Sequence, residues 1–341
     1  MSYPKPLSEK TLARMYREAN IDDKKKDFLH KLFLAAVNLY GAIALRDLWE
    51  ILKKYAQRYD MKEIKRIDLI NFSSIVRREN VPYYVYEVDE LYAEEKRSEL
   101  NRELVHKSLV GTGSRKFAWY YGMVESQLNN SFYLPDDLLA FAVLKATPIE
   151  KELLEFLKKL RVTAKYSTSS YGVRFLCDNV GKTLGSFSFR NRSETFQYEW
   201  YSGKNPEHPS KDKKALQRLL ERTEGSEAEK ILRVYKRNCN IGSLSVSDSM
   251  QTVFDELIEV GVQLTDRQFD ELTYLLTQFN NSSHLWCIRG WTPIEIVKSS
   301  PREKPKFVTL GPGIKQSIAE GKISLEEIEE ELRKRGLTLV D

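Results

Sequence analysis

The residues of this chain that could take part in chemistry are mainly cations, amides and aromatic rings. Residues 181–183, Gly-Lys-Thr, end like a phosphate-binding loop, but the earlier glycine that such a loop requires falls at Leu176. The four histidines are far apart without metal-binding spacing, and no nucleophile elbow is present. Glu63 and Lys65 match the end of a nuclease site, a pairing that 30% charged residues produce by chance. The sequence therefore predicts a binding protein without cofactor or metal rather than an enzyme.

One group of cations surrounds a helix that the sequence predicts over 68–79. The cations are Lys62, Lys65, Arg66, Arg77 and Arg78. The polar residues among them are Asn71, Ser73 and Ser74. Such a helix face could reach the phosphates and bases of DNA, although the acidic residues within 89–95 would repel a phosphate backbone. If the helix binds DNA, we expect the affinity to fall steeply with salt and with charge reversal at Arg77 and Arg78.

A second group of cations lies in the basic middle of the chain. Residues 151–239 hold 19 Lys/Arg against 11 Asp/Glu, whereas residues 240–341 hold 11 against 16. Strands predicted over 171–177, 184–190 and 195–201 form a meander in which cations alternate with aromatic residues. The cations are Arg174, Lys182, Arg190 and Arg192. This pattern suits a single-stranded nucleic acid, and it leaves open an ordinary half-exposed sheet with aromatic cross-strand pairs.

The stretch 280–295 combines an Asn pair, two Trp residues and an Arg, a clustering that the composition of the chain would not produce by chance. Its candidate residues are Asn280, Asn281, Trp286, Arg289 and Trp291. Helix capping explains its end, because Thr292 can be the N-cap, Pro293 the first helical residue and Glu295 the capping-box partner. The Asn pair can end the preceding helix in a left-handed turn. Two interpretations stay open for the rest, packing in a core or a surface that binds a protein partner.

This stretch resembles a segment of uncharacterised bacterial proteins, with the pattern NNxxxLWxxRGWTPxE. Many of these proteins carry a zinc-binding tail of the SecA C-terminal type. The corresponding cysteines are absent here, since Cys177, Cys239 and Cys287 are widely separated and form no CxxC pair. The resemblance therefore implies neither a metal site nor a particular activity.

The elements that must position the N-terminal cations resemble a winged helix in order and spacing. A helix capped by Asp22 or Asp23 and stopped at Gly41 precedes a short strand over 42–44. Helices over 46–59 and 68–79 follow, and then strands over 81–86 and 104–110. The resemblance implies that the third helix faces DNA, although many winged helices bind only protein.

Helix signals dominate the remainder of the chain. We predict helices over 136–145, 147–160, 250–260 and 265–280, and a final helix from Ser324. The fold class is α+β and mainly helical, with an N-terminal winged-helix-like module, a small antiparallel sheet in the middle and a helical C-terminal region. The predicted domains are 1–110, 111–240, 241–298 with the Trp-rich segment, and 299–341 with a linker and the last helix.

The N-terminus mixes charge throughout and has no apolar signal region, so we expect a cytoplasmic protein without a membrane partner. The three separated cysteines form no disulfide framework. The leading hypothesis is a nucleic-acid-binding or regulatory accessory protein that uses basic and aromatic surfaces. The alternative is a protein-interaction scaffold of mobile-element or defence origin, which grips its partner with Trp286, Arg289 and Trp291.

Overall fold

The structure is a computed structural model of the 341-residue chain. It divides into two units, Met1–Ile294 and Glu295–Asp341, which are described separately. The backbone alone is described for the strands within 166–188 and for 307–308. The described residues are 3–59, 64–92, 98–127, 131–161, 166–169, 172–175, 186–188, 227–259, 261–299, 307–308, 310, 312–321, 323–334 and 338–339.

The first 106 residues contain the helices and short strands in the predicted order, together with two helices that were not predicted, over 9–18 and 88–91. The second helix begins where the Asp22 carboxylate accepts the N–H of Lys25 at 2.8 Å, and it ends at Gly41, whose φ of +73° suits glycine. The elements are α1 (Glu9–Glu18), α2 (Asp23–Tyr40), β1 (Ala42–Ala44), α3 (Leu45–Lys54), α4 (Arg66–Val76), β2 (Tyr83–Tyr86), α5 (Val88–Leu91) and β3 (Glu103–His106).

The three strands form an antiparallel sheet in the order β1-β3-β2. Alternation along β2 sends Tyr83 and Val85 into the core with α2, whereas Tyr84 and Tyr86 lie on the opposite face. Helix α6 (Ala118–Ser126) covers part of that opposite face through Tyr120 and Met123. The sheet is therefore packed on both faces, and the outer face is rich in aromatic rings.

The segment between α6 and the next long helix is less helical than predicted. In place of the helix predicted over 136–145, a short 3₁₀ segment covers Leu138–Ala142. It begins where Asp137 accepts the N–H of Leu139 at 3.1 Å and the hydroxyl of Tyr59 at 2.8 Å. Tertiary hydrogen bonds to the turn that follows α3 thus override the local helix signal. Helix α7 (Pro148–Lys159) then starts as predicted, with Thr147 as its N-cap.

The basic middle contains a three-stranded antiparallel meander in the order β4-β5-β6. Its strands are β4 (Tyr166–Ser169), β5 (Gly172–Phe175) and β6 (Ser186–Ser188). The predicted strands over 171–177 and 184–190 match β5 and β6, and β4 was missed. The strand predicted over 195–201 lies outside the described residues.

Four helices of the first unit form a second hydrophobic cluster, separate from the core that contains α2: α7, α8 (Glu227–Ile241), α9 (Val246–Glu259) and α10 (Asp266–Ser282). The predicted capping box at α10 is confirmed, because Thr265 and Gln268 exchange side-chain to backbone bonds. The predicted left-handed turn at Asn280 and Asn281 is wrong. The helix continues to Ser282, since Asn280 is buried and Ser283 leaves the helix in an extended conformation.

Helix α11 (Pro293–Ser299) begins at the predicted proline. The second unit contains β7 (Phe307–Val308) paired in parallel with β8 (Thr338–Leu339), and helices α12 (Pro312–Ala319) and α13 (Leu325–Lys334). The chain is α+β and mainly helical, as predicted. The boundaries predicted at 110 and 240 fall inside the first unit, and the four-domain division stays a prediction.

Candidate nucleic-acid interface

The third helix of the predicted winged-helix order is α4 in the structure, where the cations predicted on it are separated. Lys65 and Arg66 are exposed where α4 begins, and Arg78 is exposed just after it ends. Because an α-helix rises about 1.5 Å per residue, the two ends are roughly 20 Å apart. Lys62 lies outside the described residues. The exposed cations of this helix therefore do not form one cluster.

Arg77 turns away from solvent, into an ion-pair network with the acidic residues that follow β2. Its guanidinium donates to both carboxylate oxygens of Glu90, at 2.8 and 2.7 Å, and to Glu87 at 3.2 Å. The Arg77 side chain is only 12% exposed. A phosphate could replace these partners only by taking Arg77 from the part-buried Glu90 carboxylate, which is costly. Arg77 is therefore not available for the DNA contact predicted for it.

Arg102 completes this network, although its role was missed from the sequence. It donates to Glu87 at 2.7 Å and to Glu99 at 2.8 Å, and its Nη1 donates to the hydroxyls of Ser73 and Ser74 at 2.9 and 2.6 Å. Ser73 is fully buried, so it cannot contact a base. Asn71, the third polar residue that was predicted to face DNA, is half-buried on α4. The network holds the acidic segment against the third helix.

The cations of the basic middle are mostly outside the described part of the chain. Arg174 lies on β5, where the register pairs it with Ser167 of β4 and Ser186 of β6. The other three, Lys182, Arg190 and Arg192, lie outside the described residues. Their contribution to an interface stays a prediction.

Trp286 is a packing residue, because only 7% of it is exposed. Its indole N–H donates to the backbone carbonyl of Asn38 at 2.9 Å, and its ring centroid lies 4.8 Å from that of His106. Gly41 lies directly beneath it, and a Cβ at that position would come within 2.6 Å of the Trp286 ring. The ring therefore joins the end of α2 to the outer face of the sheet and cannot offer a surface to a partner.

The residues around Trp286 also make contacts within the first unit. Arg289 has a left-handed backbone, with φ of 55°, and its guanidinium lies 5.0 Å from the Phe132 ring centre. The Trp291 indole donates to the carbonyl of Ser131 at 2.9 Å. Asn280 is buried and Asn281 half-buried within α10. Of the two interpretations left open, the structure supports packing for this stretch.

A different surface brings cations and aromatic rings together, on the outer side of the sheet. The Lys107 ammonium lies 5.6 Å from the ring centre of Tyr84, and the Lys116 ammonium lies 4.7 Å from that of Phe117. Tyr84, Lys107, Lys116 and Phe117 are half-buried, and Arg115 beside them is exposed. We call this surface the cation–aromatic face; it consists of Tyr84, Lys107, Arg115, Lys116 and Phe117.

The cation–aromatic face is built by a closed loop and a sheet strand. The N–H of Gly111 donates to the carbonyl of Lys116 at 2.7 Å, and Gly113 within the loop has φ of +73°. The buried Tyr86 ring lies beneath the face, 5.6 Å from Tyr84 and 5.1 Å from Phe117 between ring centroids. Loop closure and the shared ring thus fix the spacing between the cations and the half-buried rings.

The electrostatics of this face favour an anionic ligand. Leu104–Val124 contains three Lys/Arg residues and no Asp or Glu, a signal that the sequence offered and that was missed. Burial raises the pKa of Tyr86 well above its usual value, and burial raises the pKa of Tyr3 nearby to about 12, so both phenols are neutral at pH 7. The Glu90 carboxylate, whose negative charge also raises the pKa of both phenols, is paired with Arg77.

The described residues hold two buried thiols and no metal-binding cluster. Burial raises the pKa of the Cys239 thiol to about 12 and that of the Cys287 thiol to about 11, so both are protonated at neutral pH. Burial lowers the pKa of His106 to about 4, so its ring is neutral beside Trp286. Within the described ranges, no three His, Cys, Asp or Glu side chains are arranged to hold a metal ion.

No protein-family model, curated protein or solved structure matches this chain. Among the described helices, none has both the length and the apolar character needed to cross a lipid bilayer.

Proposed function

We propose that this protein binds nucleic acid, as an accessory or regulatory protein without catalysis, and that the cation–aromatic face is the binding surface. The observation that carries the proposal is that Lys107 and Lys116, which belong to a stretch without acidic residues, contact the half-buried rings of Tyr84 and Phe117. Phosphate groups bind to lysine and arginine, and bases stack on aromatic rings. The face provides both kinds of group side by side.

The relative size of the contacts favours binding. A lysine that lies over an exposed ring contributes about 0.5–1 kcal/mol, whereas a base stacked on a ring contributes about 1–3 kcal/mol. When a base takes the ring of Tyr84, the Lys107 ammonium is free to move to a neighbouring phosphate. The exchange replaces one weak contact by one stronger stacking contact and one ion pair, so we expect it to be favourable.

We also propose that residues 24–110 form a winged-helix-like module. The order α2, β1, α3, α4, β2, β3 and the antiparallel pairing of the three strands support this proposal. In this module the third helix packs inward and is flanked by Glu87, Glu90 and Glu99. The sheet and the loop after β3, rather than that helix, then carry the binding surface.

A cytoplasmic location is part of the same proposal. Cys239 and Cys287 support it, because both are free, buried thiols. Free cysteines are usual in a reducing compartment.

The test is the dependence of affinity on salt. If Lys107, Arg115 and Lys116 each contact one phosphate, a plot of log affinity against log salt should have a slope of about −2 to −3. The measurement is fluorescence anisotropy of a labelled oligonucleotide at salt concentrations from about 50 to 300 mM. Affinity that does not change with salt, or the absence of binding at the lowest salt, would contradict the proposed function.

A further inference from the structure

Three acidic residues between β2 and β3, Glu87, Glu90 and Glu99, are held beside the third helix, α4. Glu90 holds Arg77 with two hydrogen bonds, and Glu87 and Glu99 hold Arg102. Glu99 keeps 54% of its side chain exposed next to α4. Because half or more of the contacts in protein–DNA complexes go to phosphates, carboxylates at this position oppose the seating of a duplex. The third helix is therefore a poor reader of a major groove.

The cation–aromatic face has the opposite character. Tyr84 and Phe117 present ring surfaces from a sheet and from the start of α6, not from a protruding helix or ribbon that could enter a groove. A ring on a sheet surface can stack only with a base that is already unpaired and unstacked. Lys107 lies over the Tyr84 ring and Lys116 over the Phe117 ring, so each ammonium can move to a phosphate when a base takes the ring. Arg115, exposed and adjacent to Lys116 in the chain, adds a third cation.

From these two observations we infer that the ligand is single-stranded nucleic acid, whose bases stack on Tyr84 and Phe117 while its phosphates bind to Lys107, Arg115 and Lys116. The inference rests on the proposed function and narrows it to one class of nucleic acid. It also assigns the acidic segment a role, since Glu87, Glu90 and Glu99 disfavour duplex binding at the third helix.

The test compares three labelled probes of about 15 nucleotides, a length near the upper end of single-domain site sizes. The probes are a deoxyuridine DNA strand, a uridine RNA strand and a mixed-sequence DNA duplex, each titrated with the full chain at low salt. We expect at least one of the single strands to bind about tenfold more tightly than the duplex. The two single strands differ in the 2′-hydroxyl, so their comparison shows whether DNA or RNA is the preferred source of this chemistry.

Variants at Tyr84 test whether stacking carries the preference. Tyr84→Ala should weaken single-strand binding about fivefold to tenfold and leave duplex binding nearly unchanged, whereas Tyr84→Trp should retain single-strand binding because a large ring is kept. Tyr274→Ala is the matched control, since Tyr274 is an exposed tyrosine on α10, 61% exposed and outside the face. Circular dichroism of each variant verifies that it is folded.

The outcomes separate this inference from the proposed function. A duplex that binds as tightly as both single strands, or Tyr84→Ala without effect on single-strand affinity, overturns the inference and leaves nucleic-acid binding intact. If none of the three probes binds at low salt, the proposed function itself is overturned.

Discussion

Replacing Trp286 by alanine is expected to lower the free energy of unfolding by about 3–5 kcal/mol, the usual cost of deleting a buried large ring. The Trp286 ring fills the space between Gly41, His106 and Met123, and its N–H satisfies the carbonyl of Asn38. The deletion leaves a cavity and an unpaired buried carbonyl. The measurement is urea-induced unfolding followed by far-ultraviolet circular dichroism.

Two further variants control this result. Trp119→Ala removes a tryptophan that is 38% exposed, and we expect it to cost clearly less than Trp286→Ala. Trp286→Phe keeps a ring but loses the hydrogen bond to Asn38, so we expect an intermediate loss with about 1 kcal/mol from that bond. If Trp286→Ala proves as mild as Trp119→Ala, the ring does not hold α2 and the sheet together.

A triple variant in which glutamate replaces Lys107, Arg115 and Lys116 is expected to bind a single strand about 100-fold more weakly. Each reversal replaces a screened attraction to phosphate of about 0.5 kcal/mol by a repulsion of similar size, and three changes of about 1 kcal/mol each correspond to such a factor. The salt dependence should flatten as well, because fewer counterions are released on binding. Anisotropy titrations over a range of salt give both quantities.

A matched variant separates the position of the charges from the net charge of the chain. Lys31, Lys54 and Lys145 are exposed cations outside the cation–aromatic face, and their joint reversal to glutamate gives the same change in net charge. We expect only a small loss of affinity in this variant. Equal losses in both triple variants would show that binding follows overall charge and would count against the assigned surface.

The sequence predicted the elements better than it predicted the surfaces, for a physical reason. Helix starts and stops depend on a few adjacent residues, so the caps at Asp22, Thr147 and Thr265 were read correctly. The predicted turn at Asn280 failed because burial of this residue against the helical core outweighs the local preference of asparagine for a turn. Local signals therefore sufficed wherever no tertiary contact opposed them.

Long-range pairing decided which cations are available, and the sequence alone does not show it. Arg77 meets Glu90 across 13 residues, and Arg102 meets Ser73 across 29. For this reason the charge reversal predicted at Arg77 and Arg78 is no longer a clean test, since Arg77→Glu would also place three carboxylates together. The cation–aromatic face likewise joins Tyr84 to Lys107 only through the pairing of β2 with β3.

Binding of nucleic acid to the cation–aromatic face, and not to the third helix, is open to a direct test. Amide hydrogen exchange of the full chain, measured by mass spectrometry with and without a single-stranded oligonucleotide, tests it most directly. We expect slower exchange in peptides that cover 107–121 and unchanged exchange in peptides that cover 66–78. Slower exchange confined to 66–78, with none in 107–121, would contradict the account.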